Sequence, residues 1–398
     1  AGRATRWHSV AAAMLAAREG EGAAERCGQH LLAAGRPDEA ATPLLLAAER
    51  GQDGDIEHAL ALLQAAEDAL SAGRVPEADQ RWGRLWLARS SLELDRRGPD
   101  AAEHWASKAL DTSRRHPWRR ITARALYQLG RAALNRGDGR ATERLLGEAA
   151  ELAAELEDPW LLGRCYRELG ARHSETGRWD IAQELLVAAA EELEDDPDAA
   201  SQGHAWTLLA VNALRRGDPT AARAYADKAW PRFERAGSVR GLATARNVQG
   251  EIARAAGDLD GARYAYDEAA AMHQRAGSSM QWFALSNLGT LEALDGNPKV
   301  AREVLLRCIE GFEAAGRSAF VVHPRFALLA ALAALEQWDE LRGAVEAAAD
   351  AAEAARTRGD PDLARSARIA ATRAEDAGQH DIAARCRELL ARVAMTSR

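Results

Sequence analysis

A glycine recurs in phase through the middle of the chain. Gly137, Gly177, Gly217, Gly257 and Gly296 are separated by 40, 40, 40 and 39 residues. Small side chains follow each glycine after five and after twelve residues. They are Thr142, Ala182, Ala222, Ala262 and Ala301, then Ala149, Ala189, Ala229, Ala269 and Cys308. Such a period is typical of repeated supersecondary units that stack on their neighbours. It predicts a repeat array rather than one compact core.

Each period has the features of two helices joined by a short turn. Glycine adopts a left-handed conformation without steric cost, so the recurring glycine is expected to end the first helix. An Asp or Asn follows at 138, 218, 258 and 297, where it can cap the second helix. The small residues in phase are expected where two helix backbones approach closely, since a larger side chain would overpack the contact.

The composition agrees with helices and disfavours several classes of partner. Ala, Leu, Glu and Arg are good helix formers, and only 5% of the 398 residues are aromatic. The net charge is 52 − 60 = −8, which argues against direct nucleic-acid binding. The cysteines at 27, 165, 308 and 386 lack zinc-site spacing and are expected to be buried thiols in a reducing compartment. No apolar run reaches the roughly 18 residues of a membrane span, and we expect a cytoplasmic location.

The periodic features weaken toward both ends. Upstream turns are predicted at Gly35, at Gly54-Asp55 and at Gly98, and downstream turns at Trp338 and Gly378. Terminal repeats are usually atypical because they cover an exposed apolar face. We therefore predict irregular entry helices over 1–53, early hairpins over 54–120, regular repeats over 121–316 and divergent capping repeats over 317–398. The chain starts at Ala1 rather than Met and its first residues already have a helical pattern, so we expect either a segment of a longer protein or a chain whose start has been trimmed.

The repeated unit resembles the tetratricopeptide repeat, whose signature is W-x2-L-G-x2-Y followed by G-D and two alanines. The best matches are Trp206, Leu209 and Ala210 with Gly217, Asp218, Ala222 and Ala229, and Asn287-Leu288-Gly289 with Gly296 and Ala301. The unit departs from the family in length, about 40 residues instead of roughly 34. The resemblance implies an all-α solenoid of helical hairpins, a right-handed superhelix whose first helices line a concave groove that holds ligands.

Sequence motifs for catalysis are missing. The chain contains no phosphate-binding GxxxxGK[ST], no HExxH and no G-x-S-x-G, and its ten histidines occur singly. The acidic stretch 191–198 lacks the alternating ligands and the glycine of a calcium loop, so we interpret it as a solvated loop. The sequence thus predicts a binding protein that is not an enzyme and that holds no metal or cofactor.

Candidate ligand contacts follow from counting back from each turn glycine to the inward positions of the first helix. The predicted groove residues are Tyr127, Arg131, Arg164, Arg167, His204, Thr207, Asn247, Glu251, Ser286 and Asn287. An acidic or carboxylate-ended partner would dock on the three arginines through bidentate hydrogen bonds. The two asparagines would hold an extended peptide backbone. The alternative is that these side chains pair along or between helices, for example Arg164 or Arg167 with Glu168.

The stretch from Trp7 to Gly51 resembles the start of the helical arm in large bacterial signalling ATPases. The stretch His30-Leu31-Leu32-Ala33-Ala34-Gly35, followed by Ala40 and Ala47-Ala48, carries this resemblance. It implies a sensor and scaffold arm that binds a protein or peptide, or a small effector, and regulates an attached kinase or ATPase domain of a parent protein. A free-standing adaptor and the arm of a LuxR-type transcription regulator remain as alternatives. No membrane partner is expected.

Overall fold

The computed structural model describes residues 2–18, 22–51, 55–195, 199–355 and 360–394, and in these ranges the chain forms helices and no strand. The helices are α1 Gly2–Ala16, α2 Ala23–Ala33, α3 Pro37–Arg50, α4 Ile56–Ala72, α5 Gln80–Arg96, α6 Pro99–Arg114, α7 Arg119–Arg136, α8 Gly139–Glu155, α9 Pro159–Glu175, α10 Trp179–Glu192, α11 Ala199–Arg215, α12 Pro219–Ala236, α13 Val239–Ala255, α14 Leu259–Arg275, α15 Gln281–Asp295, α16 Pro298–Ala314, α17 Val322–Ala334, α18 Trp338–Ala355, α19 Pro361–Asp376 and α20 His380–Ala394. A 3-10 helix spans Ser318–Val321. The predicted all-α class is confirmed.

The chain divides into two compact units. The first unit comprises Ala1–Ala132 and Glu148–Glu157, and the second comprises Ala133–Gly147 and Asp158–Arg398. The four predicted segments stay predictions, and their first boundary, at residues 53 and 54, lies outside the described residues.

In the first unit, neighbouring helices pack in sequence, with α2 on α3 and α5 on α6. Trp86 is 1% exposed, and the Lys108 ammonium lies 4.6 Å from the centroid of its ring. Gly35 and Gly98 have φ angles of 74° and 92°. Of the predicted Gly54-Asp55 turn, Gly54 lies outside the described residues, whereas Asp55 caps α4 through the backbone N–H groups of Glu57 and His58.

In the second unit, consecutive helices form hairpins: α9 with α10, α11 with α12, α13 with α14, α15 with α16, and α19 with α20. The first helix of a hairpin can also contact the first helix of the next hairpin. For example, α9 contacts α11, and α11 contacts α13. Ala182, Ala222, Ala262 and Ala301 are fully buried. The backbones come so close that a Cβ on Gly250 would lie 2.7 Å from the Tyr266 ring. Contacts between neighbours in sequence are what a solenoid requires.

The glycine turns that precede α8, α10, α12 and α14 share one geometry. The φ angles of Gly137, Gly177, Gly217 and Gly257 lie between 75° and 82°. Side-chain oxygens of Asp138, Asp218, Asp258 and Asn297 accept hydrogen bonds from backbone N–H groups in the first turn of the following helix. Capping of this kind satisfies donors that the helix itself leaves unpaired.

Gly296 departs from the expected left-handed conformation. Its φ and ψ are −135° and −121°. The turn between α15 and α16 has two residues, whereas the turn between α13 and α14 has three. The Glu292 carboxylate closes this shorter turn by accepting the backbone N–H of Asn297 at 2.9 Å. One missing residue therefore accounts for both the spacing of 39 and the different backbone.

Helices α17 to α20 extend the same packing with larger side chains. Leu341 takes the position that alanine holds in earlier hairpins and is fully buried with Phe326 and Cys386 in one apolar cluster. Of the acidic stretch, residues 191 and 192 end α10, residues 193–195 form a turn, and residues 196–198 lie outside the described residues.

Two further observations concern the cysteines and the possibility of membrane or metal binding. All four cysteines are buried and free, and burial raises the pKa of Cys165 and of Cys308 to about 12. Among the described residues, no helix combines the length and the apolar character needed to cross a bilayer, and no three His, Cys, Asp or Glu side chains group as metal ligands do.

Candidate functional site

The second unit contains a cavity of about 330 Å³. The ends of α9, α11 and α13 form one wall, α15 and the start of α17 form another, and Asp360 and Asp362 at the start of α19 complete it. Several of the lining side chains, among them Glu175, Arg215 and Arg254, come from the last turns of first helices. Because first helices lie side by side in the stack, residues about 40 positions apart become neighbours.

Two asparagines and a glutamate form a hydrogen-bonded network across α13 and α15. Asn287 Nδ2 donates to Asn247 Oδ1 at 3.2 Å and to Glu251 Oε1 at 3.1 Å. Asn247 Nδ2 donates to the same Glu251 oxygen at 3.3 Å. All three residues line the cavity, and Ser286 lines it beside them. The network fixes the rotamers of these amides, so they are held ready for a ligand.

Burial raises the pKa of Glu251, although Arg254, Arg215 and the amide of Asn287 favour its ionised form. Loss of water around the carboxylate outweighs the nearby charges. A carboxyl group in such surroundings gains from any additional hydrogen-bond donor that a ligand brings.

Ion pairs connect α19 to helices far away in the sequence. The Arg254 guanidinium on α13 donates to both carboxylate oxygens of Asp362 at 3.0 and 2.8 Å. Arg365 on α19 lies 2.9 Å from an Asp295 oxygen at the end of α15. Arg254 and Asp362 are 108 residues apart in sequence, and both line the cavity. This pair therefore closes one side of the cavity, and the carboxylate that Arg254 contacts there belongs to the protein itself.

Three phenylalanines supply an apolar part of the wall. The rings of Phe283 and Phe312 meet edge to face with centroids 5.0 Å apart, and those of Phe283 and Phe320 at 4.7 Å. Edge-to-face contacts of this kind stabilise an aromatic cluster beyond its buried area. The cavity is thus polar along α13 and apolar toward the 3-10 helix.

The remaining predicted groove residues lie elsewhere. Tyr127 and Arg131 on α7 belong to the first unit, where the Arg131 guanidinium lies 5.9 Å from the centroid of the Tyr127 ring. Thr207 is buried and donates to the Gly203 carbonyl oxygen of its own helix at 2.8 Å. His204 meets the Phe233 ring edge to face at 4.9 Å.

Arg164 and Arg167 on α9 also have partners within the protein. The Arg164 guanidinium lies 4.4 Å from the centroid of the Trp160 ring, and Arg167 pairs with Glu168 at 2.5 Å. Arg167 is only 8% exposed. Docking of an acidic partner on Arg131, Arg164 and Arg167 stays a prediction, and these contacts match the alternative of pairing within the protein.

Counting inward positions missed the last turn of each first helix. Arg172, Glu175, Arg215 and Arg254 all line the cavity and lie two to five residues before their turn glycines. The sequence did carry a signal for these residues, since several first helices have a charged side chain a few residues before the turn glycine. The contribution of Asp360 and Asp362 had no signal in the sequence, because it depends on how α19 packs.

No protein-family model and no curated protein matches the sequence. Solved structures do match. The Rap protein complexed with competence and sporulation factor has 14% identity and a TM-score of 0.61, over 90% of this chain and 98% of that one. The apo form of the quorum sensor NprR from B. thuringiensis has 13% identity and a TM-score of 0.54, over 89% and 99%.

A third solved structure is aspartyl phosphate phosphatase F from Bacillus subtilis, with 13% identity and a TM-score of 0.52, over 90% of this chain and 93% of that one. At such identities the likeness concerns the fold. These structures are tetratricopeptide-like helical-repeat proteins, and the chain described here is a tetratricopeptide-like α-solenoid.

Proposed function

We propose that the second unit binds a short peptide, or a linear segment of a partner protein, in its cavity. The observation that carries the proposal is the network of Asn247, Glu251 and Asn287. An asparagine side chain offers a donor and an acceptor, as each residue of an extended peptide backbone does. Within the described residues, Asn287 Oδ1 receives no hydrogen bond, so it can accept one from a ligand N–H.

The size of the cavity supports a small ligand. A volume of about 330 Å³ is at the lower end of the roughly 300–1,000 Å³ typical of ligand pockets. It accommodates a few side chains of a linear segment, with an apolar one against Phe283 and Phe320. The Rap protein was solved with competence and sporulation factor and NprR is described as a quorum sensor, which supports a sensor role for the shared fold.

A peptide-retention experiment tests the proposal. Pools of random pentapeptides are passed over the immobilised chain, and the retained peptides are quantified by mass spectrometry. The N247A/N287A variant should retain about tenfold less, because two hydrogen bonds to the ligand are lost. The matched control is Gln274→Ala, which removes an exposed amide on α14. Equal retention by the N247A/N287A variant and wild type would reject this site.

We further propose that peptide binding regulates an attached kinase or ATPase domain in the cytoplasm, and that this chain itself performs no catalysis. Such control requires the ligand to bind two states of the parent protein with different affinity. A small effector would act in the same way. A free-standing adaptor and the arm of a LuxR-type regulator are the other candidates. The complete natural reading frame distinguishes them, since a kinase or nucleotide-binding segment in the same frame supports the regulatory arm.

A further inference from the structure

Arg172 on α9 is a buried cation that interacts with Glu175 only through charge and not through direct contact. It is 9% exposed, and its guanidinium makes no hydrogen bond or ion pair with any of the described residues. Its Nε is buried and has no acceptor. A charge buried to this extent is normally paired, because its desolvation must be offset. The side chain lines the cavity, so a bound ligand can reach it.

The position of Arg172 is fixed by the start of α8. A Cβ on Gly139 would lie 2.7 Å from Arg172 Cζ, so the guanidinium packs directly against the backbone there. The start of a helix carries partial positive charge, which attracts anions and offers nothing to a cation. Asp138 is the capping residue of α8, and its Oδ1 accepts from the Ala141 N–H at 3.1 Å.

A second arginine and a glutamate lie in the same part of the cavity. Arg215 on α11 donates to Ser174 Oγ at 3.1 Å and leaves the rest of its guanidinium toward the cavity. Glu175 lines the cavity as well and has no hydrogen bond or ion pair within the described ranges. Burial raises the pKa of Glu175 despite the nearby Arg215 and Arg172. The Glu175 side chain is accessible to water. Because it lies on a concave wall, many protein atoms also surround it.

We propose that Arg172, assisted by Arg215, binds a carboxylate of the peptide ligand. This inference rests on the proposed function and adds the chemistry of one ligand group. The planar guanidinium of Arg172 matches a carboxylate through two parallel hydrogen bonds. Glu175 disfavours a more highly charged anion at the same place, so a monoanion fits better than a phosphate. The carboxylate comes from the ligand's C-terminus or from an Asp or Glu side chain.

Three pools of N-acetylated pentapeptides test the proposal. The first two contain only uncharged residues and end in a free carboxylate or in an amide, and the third is amidated with one Asp or Glu. Wild type should retain at least one carboxylate pool about tenfold more than the amide pool, as charge-assisted hydrogen bonds imply. Preference for the first pool or the third identifies which carboxylate is bound.

Variants then assign the preference to Arg172. R172Q should abolish it, whereas E175Q should strengthen it because a competing negative charge is removed. The matched control is R216Q, which removes an exposed arginine that directly follows α11 and pairs with Asp180 on α10. If E175Q instead weakened retention, Glu175 would help to hold the ligand rather than compete with its carboxylate, and the inference would be overturned.

Stability provides a second measurement. Removing a buried unpaired charge should leave the melting temperature of the ligand-free R172Q chain unchanged or raise it. A lower melting temperature would show that Arg172 has a structural partner, which contradicts the proposal. If wild type retains none of the pools, the proposed function fails. If it retains the amide pool as strongly as both carboxylate pools, only this inference fails.

Discussion

Tyr266 and Glu251 belong to the same hairpin of the second unit, but they lie in different environments. Tyr266 is fully buried between α13 and α14, where Gly250 makes room for its ring. Glu251 faces the cavity and is hydrogen-bonded to amides of α13 and α15. The contact inside a hairpin repeats from unit to unit with small residues in phase. The cavity face changes at every repeat.

The difference shows which residues the period constrains. Packing between two helices tolerates little change of volume, so each hairpin uses the same small residues at the same positions. The cavity face touches no fixed neighbour over much of its area, and its residues are free to differ. A ligand site in a repeat protein is therefore found where the repeats diverge.

The largest expected effect lies in the hairpin contact. Tyr266→Ala should reduce the free energy of unfolding by about 3–5 kcal/mol, because it leaves a cavity that the helices cannot fill. Tyr264→Ala on the same helix is the matched control, since Tyr264 is 66% exposed, and it should change stability by no more than about 0.5 kcal/mol. Urea denaturation measures both. Similar midpoints for the two variants would contradict the packing described here.

The two environments also predict opposite pH dependence. His273 on α14 is 2% exposed, and burial followed by the charge of Arg240 lowers its pKa from 6.5 to about 4. The unfolded chain therefore binds a proton more readily, and the stability present above pH 6.5 is lost as the pH falls toward 4. At pH 5 the protonation of this residue should lower the free energy of unfolding by about 2 kcal/mol. The raised pKa of Glu251 acts in the other direction. The stability that goes with its protonated form is lost as the pH rises.

Replacement of the histidine tests this point. His273→Leu should flatten the fall in stability between pH 8 and pH 5 by about 2 kcal/mol, as followed by thermal or urea denaturation at each pH. His380→Leu is the control, because His380 is exposed on α20. An unchanged pH profile in His273→Leu would mean that folding does not lower the pKa of His273.

The smallest effect is expected at the ion pair that closes the cavity. Asp362→Asn removes the charge that Arg254 contacts. Because both side chains are about 30% exposed, the free energy of unfolding should fall by about 1 kcal/mol, and this effect should shrink at high salt. The matched variant is Asp339→Asn, which removes a fully exposed partner of Arg342 and should have no measurable effect. Denaturation at low and high salt compares the two. An effect of Asp362→Asn that does not depend on salt would show that Asp362 acts through packing.

Much of the fold could be predicted from local pattern. The turn glycines, the capping Asp and Asn residues and the small residues in phase all act within a few residues of themselves, so their spacing was sufficient to predict hairpins. Four residues placed on the inner face, Asn247, Glu251, Ser286 and Asn287, line the cavity. His204 and Thr207 were placed there by the same count but contact their own hairpin, Thr207 through Gly203 and His204 through Phe233.

By itself the sequence determined that this chain forms stacked pairs of helices, because each glycine-ended hairpin needs only its neighbours to bury its apolar side. Only the tertiary structure decided where the stack forms a cavity. The pairing of Arg254 with Asp362 and the unpaired guanidinium of Arg172 depend on how helices far apart in the sequence pack against one another. That packing sums many small contacts between neighbouring hairpins, and no single repeat encodes it.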